Sequence, residues 1–380
     1  LPTARNPRTA YGLLGGRERH ELSPTDRPWQ RPRRTPFRSS DAAISWWIDS
    51  VMADQAPDSP APLMLTELIH DRRAWQAADI QPEDWTVHVS KDAISELQGM
   101  VSHMRAHPLP VLLRTLEEFS IPHLLDVMAS TKNALDCRFG FCVVHDLPID
   151  DYEIDEIVAC FWVLGQLVDR PVAQKWDGTM IYDVIDTGEE FRYGVRGSYT
   201  NVELPFHNDN AFGTSVPYYV GLLCRNSAMK GGETRFCSVY NLHNRLFTTS
   251  PKLLKRLYRP VFFDRQAEHA KDADTTVRFP MFSWDGQRLS ARVNISLVKK
   301  GYAVANEPLD HELEDALRAI QEITSDSNLW VEAPIQRGQL QYLNNLDVLH
   351  YRNTFEDHED SNLQRHLYRT WHRNSGSRAY

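Results

Sequence analysis

The sequence predicts an α+β protein, mostly β with flanking helices, in which a helical N-terminal region leads into one large β-rich domain. Three observations carry this reading. Apolar residues recur at helical spacing up to about residue 136. From residue 137 short apolar runs follow one another, separated by Gly, Pro or Asn, as in a sandwich or barrel. Nothing after residue 137 reads as a linker, so the chain divides into an arm (1–40), a helical region (41–136) and the β-rich domain (137–380).

Each element follows from local chemistry. The first 38 residues hold nine Arg and several Pro and lack periodicity, so an extended surface segment is expected. Ser40 or Asp41 can cap a helix to about Ala53, with Ile44, Trp47, Ile48 and Val51 on one stripe; Pro57, Pro60 and Pro62 follow it. Ser90 can cap a second helix, with Ile94, Leu97, Val101 and Met104 on its apolar face. A third stretch runs from Ile121 to Leu135, and Tyr152–Leu167 is helical by period. Strand-like runs are Phe139–Val144, Met180–Ile185, Tyr218–Cys224, Thr234–Val239, Val261–Asp264, Arg288–Ile295, Trp330–Ala333 and Gln339–Leu343, with helical interruptions near 241–257 and 309–324.

Composition narrows the function. Hydrophobic residues are 42% and charged residues 24%, an ordinary globular mix that excludes a fibrous or wholly disordered chain. The net charge of −9 disfavours a nucleic-acid binder but permits a local basic pocket for an anion. Five cysteines (137, 142, 160, 224 and 237) form no CxxC pair, so buried thiols are expected, with neither a zinc site nor a disulfide framework. The most apolar run, Ile157–Val168, is shorter than the roughly 18 residues a membrane span needs, and the N-terminal residues contain no apolar signal core. A cytoplasmic protein, with no membrane and no nucleic-acid partner, is the expectation.

The chemistry starts at Pro205-Phe206-His207-Asn208-Asp209. Residues i and i+2 of a strand share a face, so His207 and Asp209 can offer an imidazole and a carboxylate to one ion. Two His and one carboxylate on one face of a metal leave the other face open, which suits non-haem Fe(II). An HxD triplet alone is a weak signal; His358-Glu359-Asp360 is another, in an acidic stretch that reads as a solvated loop. Gly231-Gly232-Glu233-Thr234 permits a tight turn that presents the Thr234 hydroxyl at a strand start, although an ordinary hairpin would look the same. His350 ends the apolar run Leu346–Leu349; as a third ligand it would come from 143 residues beyond His207. In Arg365-His366-Leu367-Tyr368-Arg369 the two arginines share a strand face, and a guanidinium directed inward needs an anion. On an exposed edge strand the same arginines would need none.

Taken in order, these motifs resemble the TauD/TfdA family of Fe(II)- and 2-oxoglutarate-dependent dioxygenases, in the clavaminate synthase-like group. The matching segments are Phe206–Asp209, Gly231–Thr234, Asn345–Arg352 and Gln364–Arg369, with Phe139–Val144 as the early strand, so the resemblance covers roughly 137–373. It implies a double-stranded β-helix (jelly roll) with His207, Asp209 and His350 as metal ligands. It also implies that Arg365, helped by Thr234, holds the remote carboxylate of 2-oxoglutarate. Arg369 would face the primary substrate or share the co-substrate contact. Glu233 stands where the family often has Asp. The triad carboxylate is present, which argues against halogenation.

The implied reaction uses Fe(II) as its cofactor, consumes 2-oxoglutarate and O2, and oxidises a substrate C–H bond, releasing succinate and CO2. Hydroxylation is the default outcome; desaturation or cyclisation is open. The expected partner is a small-molecule substrate of secondary metabolism, and the helical region offers surface for a homodimer. Tyr193 and Arg196 in the Gly-punctuated segment 192–199, and Arg292 in a strand pattern, are the candidate substrate contacts. Alternatives are a non-catalytic jelly-roll binding protein, a hydroxylase of a macromolecule, and a zinc hydrolase using the same ligands.

Overall fold

The structure is a computed structural model that describes residues 63–190 and 195–373. By contacts the chain divides into Leu1–Ser40, outside the described residues, and Asp41–Tyr380, to which everything below belongs. The expected arm, the expected helix over 41–53 and Tyr193 lie outside the described residues.

In chain order a single helical turn (Pro82–Trp85) leads into strand β1 (Thr86–His88) and helices α1 (Lys91–Ala106) and α2 (Pro122–Cys137). Next come β2 (Phe141–His145), α3 (Ile154–Val168), β3 (Pro171–Val172), β4 (Tyr182–Ile185), β5 (Leu204–His207), β6 (Tyr219–Asn226) and β7 (Thr234–Ser238). Helices α4 (Val239–Thr249) and α5 (Pro251–Leu257) follow. After two short hairpins come α6 (Ile295–Ala305), α7 (His311–Ser325), β8 (Trp330–Glu332), β9 (Leu340–Asn344), β10 (Val348–Arg352) and β11 (His366–His372).

Two sheets dominate, the larger mixed and the smaller antiparallel. The seven-stranded sheet runs β1-β2-β9-β6-β11-β3, with β4 also paired to β11. The four-stranded sheet runs β8-β7-β10-β5. Their ladders are antiparallel except β1 with β2, which is parallel. Through β1 the region before residue 137 supplies an edge strand of the large sheet.

The pleat of β2 shows how the layers form. Cys142 and Val144 point into a cluster with Leu97, Met100, Leu124 and Phe161 of the helices. Phe141 and Val143 point the other way, into a cluster with Phe236, Val331 and Val348 of the smaller sheet. Phe141 stacks on Phe236 at 4.2 Å between ring centroids. A strand covered on both faces has no polar alternation, which is why Phe139–Val144 reads as a continuous apolar run. Helices α4 to α7 close the far side of the smaller sheet around Tyr240, Leu254, Leu317 and Leu349.

Local signals set the helix starts. The Ser90 side chain accepts from the Ala93 N–H at 3.2 Å, and Asp310 from the Leu313 N–H at 2.8 Å. One expected strand is corrected: Arg288–Ile295 contributes only Leu289–Ala291. Asn294 then caps α6, its side chain accepting from Leu297 N–H at 3.0 Å. The β-branched residues of Val293-Asn-Ile-Ser-Leu-Val298 imitate a strand, and the cap decides otherwise. No helix among the described residues is long and apolar enough to cross a membrane.

Two histidines with no place in the site are fully buried. His243 Nε2 contacts the Tyr258 hydroxyl and His372 Nε2 the Thr370 hydroxyl, each at 2.8 Å. Burial pushes both down to about 4 from 6.5. As pH falls below 6.5 the unfolded chain takes up these protons while the fold does not, so stability is lost progressively until about pH 4. The loss is on the order of 3 kcal/mol per group at most. Urea unfolding between pH 7.5 and 4.5 should show this decline, and His243→Leu should remove part of the slope; an unchanged slope would contradict the assignment.

Candidate metal centre and its pocket

The end of β5 meets the middle of β10 in register: His207 and His350 are direct cross-strand partners. Their rings lie 4.1 Å apart. Asp209 sits just past the strand, in a turn fixed from both sides. The Asn345 side chain accepts from the Asp209 N–H at 2.8 Å and donates to the Asp209 carbonyl at 3.0 Å. The fully buried Asn208 donates to the Asn345 carbonyl at 2.6 Å and accepts from Val293 N–H at 2.8 Å. This pair of asparagines carries Asp209 to the two histidines.

One ligand atom each from His207, Asp209 and His350 falls within 4.8 Å of the others. Asp209 Oδ1 is 3.8 Å from His207 Nε2 and 3.7 Å from His350 Nε2, too long for hydrogen bonds. His207 Nδ1–H donates to the Pro205 carbonyl at 2.8 Å, which leaves the Nε2 lone pair facing Asp209. Burial pushes the His207 imidazole down, and burial together with the neighbouring His207 pushes His350 to about 3, so both rings are neutral donors at pH 7. Burial alone would raise Asp209, but Arg369 and the two histidines outweigh it and hold the carboxyl at about 2. Two neutral nitrogens and one carboxylate oxygen suit a divalent transition metal.

The other Asp209 oxygen is already engaged. Oδ2 accepts from Trp371 Nε1 at 2.8 Å and lies 3.1 Å from Arg369 Nη1. Arg369 is itself held by the Gln174 side chain at 2.9 Å and lies over the Tyr182 and Trp371 rings. Sequence reading aimed Arg369 at the substrate or co-substrate; the structure aims it at the triad carboxylate, because β11 passes Asp209 at that height. Trp371 was not singled out from the sequence. Its position two residues beyond Arg369, on the same strand face, was the available signal.

Arg365 also faces inward and is 4% exposed. It lies against Phe355, 5.0 Å from the ring centroid, and its Nη1 is buried without a hydrogen-bond partner. Burial lowers its pKa, since only Cys224 and Asp357 oppose the loss of water. The Gly231-Gly232 turn makes room for it. Both glycines have positive φ (79° and 75°), and a Cβ on Gly232 would lie 3.2 Å from Arg365 Nε. Thr234, buried, opens β7 two residues later.

Directly across from Thr234 in the ladder stands Arg352, which sequence reading left without a role. Its Nη2 donates to the carbonyls of Thr200 (2.8 Å) and Val202, while Nε and Nη1 are buried without partners. Burial, and then the charge of Arg365, push it down to about 9. Two guanidiniums with unused N–H groups in one interior call for an anion.

A cavity of about 130 Å³ opens on His207 and Asp209, lined among others by Arg369, Trp371, Arg196 and Lys300. Arg196 is in this wall but paired with Glu268 at 2.8 Å. Arg292 is corrected: its Nη1 donates to the Ala211 and Gly213 carbonyls at 2.8 and 2.6 Å, so it braces the turn after Asp209. The strand that would have pointed it into the pocket ends at Ala291. The triplet His358–Asp360 forms no metal-binding group among the described residues, and beside it Asp357 accepts from the Arg365 N–H at 2.7 Å.

Comparison with known proteins adds a consistent picture. The family model described as "Taurine catabolism dioxygenase TauD, TfdA family" matches residues 106–371. FR-33289 synthase of Streptomyces rubellomurinus is 24% identical over 314 residues, 81% of this chain and 91% of that protein. The taurine hydroxylase-like protein SAT17 of Stachybotrys chartarum is 24% identical over 332 residues, 84% and 83% of the two chains. Among solved structures, asparagine oxygenase with Fe(II), hydroxyasparagine and succinate superposes with a TM-score of 0.59 at 18% identity, covering 76% of this chain and 93% of that one. The non-heme iron oxygenase OrfP with Fe and alpha-ketoglutaric acid gives 0.57 at 14%, covering 76% and 94%.

Proposed function

We propose, on the premise that this chain belongs to the TauD/TfdA dioxygenase family, that His207, Asp209 and His350 hold its ferrous iron and Arg365 with Thr234 holds its 2-oxoglutarate. As a member of that family the protein is an Fe(II)- and 2-oxoglutarate-dependent oxygenase acting on a small molecule. The observation that carries the residue assignment is the convergence of three ligand atoms, from elements 143 residues apart, within 4.8 Å. We read the two sheets as the walls of a double-stranded β-helix with the triad at one mouth.

When bound, iron with 2-oxoglutarate and O2 supplies the oxidant for a substrate C–H bond, and succinate and CO2 are released. The residues of this chain supply placement. Trp371 and Arg369 occupy Asp209 Oδ2, which leaves Oδ1 as the single oxygen for the metal. Arg365 and Arg352 offer N–H groups to the remote carboxylate from one end of the interior, and Thr234 offers its hydroxyl. Arg352 also ties this end to residues 200–202, which lead into β5 and His207. Arg196, paired with Glu268, shapes the substrate side of the cavity.

Trp371→Phe removes one donor to Asp209 while keeping an aromatic ring. Loss of such a support lowers metal affinity by roughly 10–100-fold. Anaerobic Co(II) titration followed by its visible spectrum should show weaker binding and an altered band; unchanged affinity and spectrum would remove Trp371 from the site. The function itself is tested by screening small molecules for stimulated succinate release under Fe(II), ascorbate and O2. Stimulation by at least one compound, lost when iron or 2-oxoglutarate is withheld, is expected. Turnover independent of 2-oxoglutarate and O2 would instead favour a hydrolase.

A further inference from the structure

His207 and His350 are locked to each other by the ladder between β5 and β10, but Asp209 lies outside that ladder. Its place depends on the turn Asn344–Asp347, which joins β9 of the large sheet to β10 of the small one. Asn345 in this turn holds the Asp209 N–H and carbonyl, and its own carbonyl accepts from Asn208 at 2.6 Å. A shift of the turn would therefore carry the carboxylate against both imidazoles.

Asp347 clamps the turn from within. Its Oδ2 accepts from the Asn344 side chain and its Oδ1 from Arg288 Nη2, each at 3.0 Å. The same Nη2 lies 3.4 Å from Asn344 Oδ1, which also accepts from the Leu346 N–H at 3.1 Å. The Tyr240 hydroxyl lies 3.5 Å from Asp347 Oδ1 and 3.3 Å from Arg73 Nη1, so a second cation stands behind the carboxylate. Burial raises the Asp347 carboxyl, and the Arg288 charge opposes that rise. Arg288 belongs to the hairpin that pairs Phe282–Trp284 with Leu289–Ala291. Just past that hairpin, Arg292 donates to the Ala211 and Gly213 carbonyls and Val293 N–H to Asn208. One segment thus grips both turns that meet at Asp209. The Arg288 side chain is 41% exposed, so water weakens the ion pair and its contribution to overall stability is small. What it fixes is position.

We infer that Asp347 and Arg288 are positioning residues for the metal centre. Their ion pair sets the Asn344–Asp347 turn and, through Asn345, the distance of the Asp209 carboxylate from the two imidazoles. This rests on the triad reading above and extends it to two residues that hydrogen-bond to none of the three ligands. Supports of this kind orient a ligand and tune the metal without touching it.

The test titrates the metal-free full chain anaerobically with Co(II), in the parent, Asp347→Asn, Arg288→Gln, Arg288→Lys and the double variant Asp347→Asn/Arg288→Gln. Asp347→Asn and Arg288→Gln should each weaken Co(II) binding by about three- to tenfold, less than the roughly 10–100-fold of a group that supports a ligand directly. Each should also shift the visible Co(II) band, which reports ligand geometry. Arg288→Lys, which keeps the charge, should recover part of the affinity and return the band towards that of the parent. The double variant should bind no more weakly than the weaker single variant, because either change alone already breaks the pair. Should Asp347→Asn not fold, Arg288→Gln, at a half-exposed position, carries the same expectation. A lowered urea midpoint with Co(II) affinity and band unchanged would reduce the pair to a stability element and overturn the inference. Single effects that multiply in the double variant would overturn it too, since the two residues would then act separately. Absence of a saturable Co(II) band from the parent would instead overturn the triad reading on which the pair depends.

Discussion

Asp209→Ala is expected to abolish ferrous-iron binding at micromolar metal and, with it, all 2-oxoglutarate turnover. Asp209 is the one anionic donor of the triad, and its two oxygens divide the work: Oδ1 faces both imidazoles, and Oδ2 is held by Trp371 and Arg369. Removing it leaves the metal with two neutral nitrogens and leaves the half-buried Arg369 without its carboxylate. Metal affinity should fall because the one anionic donor is gone, and the stranded Arg369 charge costs folding stability separately, by up to about 3–5 kcal/mol. The metal-free protein should also be destabilised, because the half-buried Arg369 charge loses its partner. Anaerobic Fe(II) titration and urea unfolding of the metal-free protein measure the two effects separately. An Asp209→Ala protein that binds Fe(II) like the parent would place the metal elsewhere.

Arg365→Ala should act in the opposite sense on the empty protein. There Arg365 is a buried charge with an unused N–H and no carboxylate, so its removal should leave the 2-oxoglutarate-free protein as stable as the parent or more so. With co-substrate present the loss is large. Truncating one partner of a buried, hydrogen-bonded charge pair costs about 2–5 kcal/mol, which corresponds to a rise in the 2-oxoglutarate Kd of about 30-fold to several thousand-fold. Fe(II) binding should be unaffected. The thermal shift that saturating 2-oxoglutarate gives the parent should therefore vanish in the variant. An unchanged Kd would move the anchor to Arg352.

Much of this was legible before any coordinates. His207, Asp209 and His350 were readable because four individually weak motifs occur in the order that the family resemblance requires, and the structure brings those three together. For Arg365 the strand pattern left an inward and an exposed position open, the resemblance implied the inward one, and the structure buries it. The destinations of the other arginines were not readable. A guanidinium reaches several ångströms from its backbone, and its partner is chosen by elements distant in sequence: Arg369 by Asp209, Arg292 by the carbonyls of Ala211 and Gly213, Arg352 by those of Thr200 and Val202. The asparagines that carry Asp209 were invisible for the same reason, since Asn208 and Asn345 meet only after the sheets form. Helix α6 was missed because its β-branched first turn outweighed Asn294, a cap whose side chain declares itself only through its bond to Leu297.

The most direct measurement is the stoichiometry of ferrous iron. Anaerobic titration of the metal-free full chain with Fe(II) should reach one ion per chain. That ion should be lost in each of His207→Ala, Asp209→Ala and His350→Ala, with circular dichroism confirming a retained fold. Undiminished binding in any of the three would contradict the assignment of a single iron centre to these side chains.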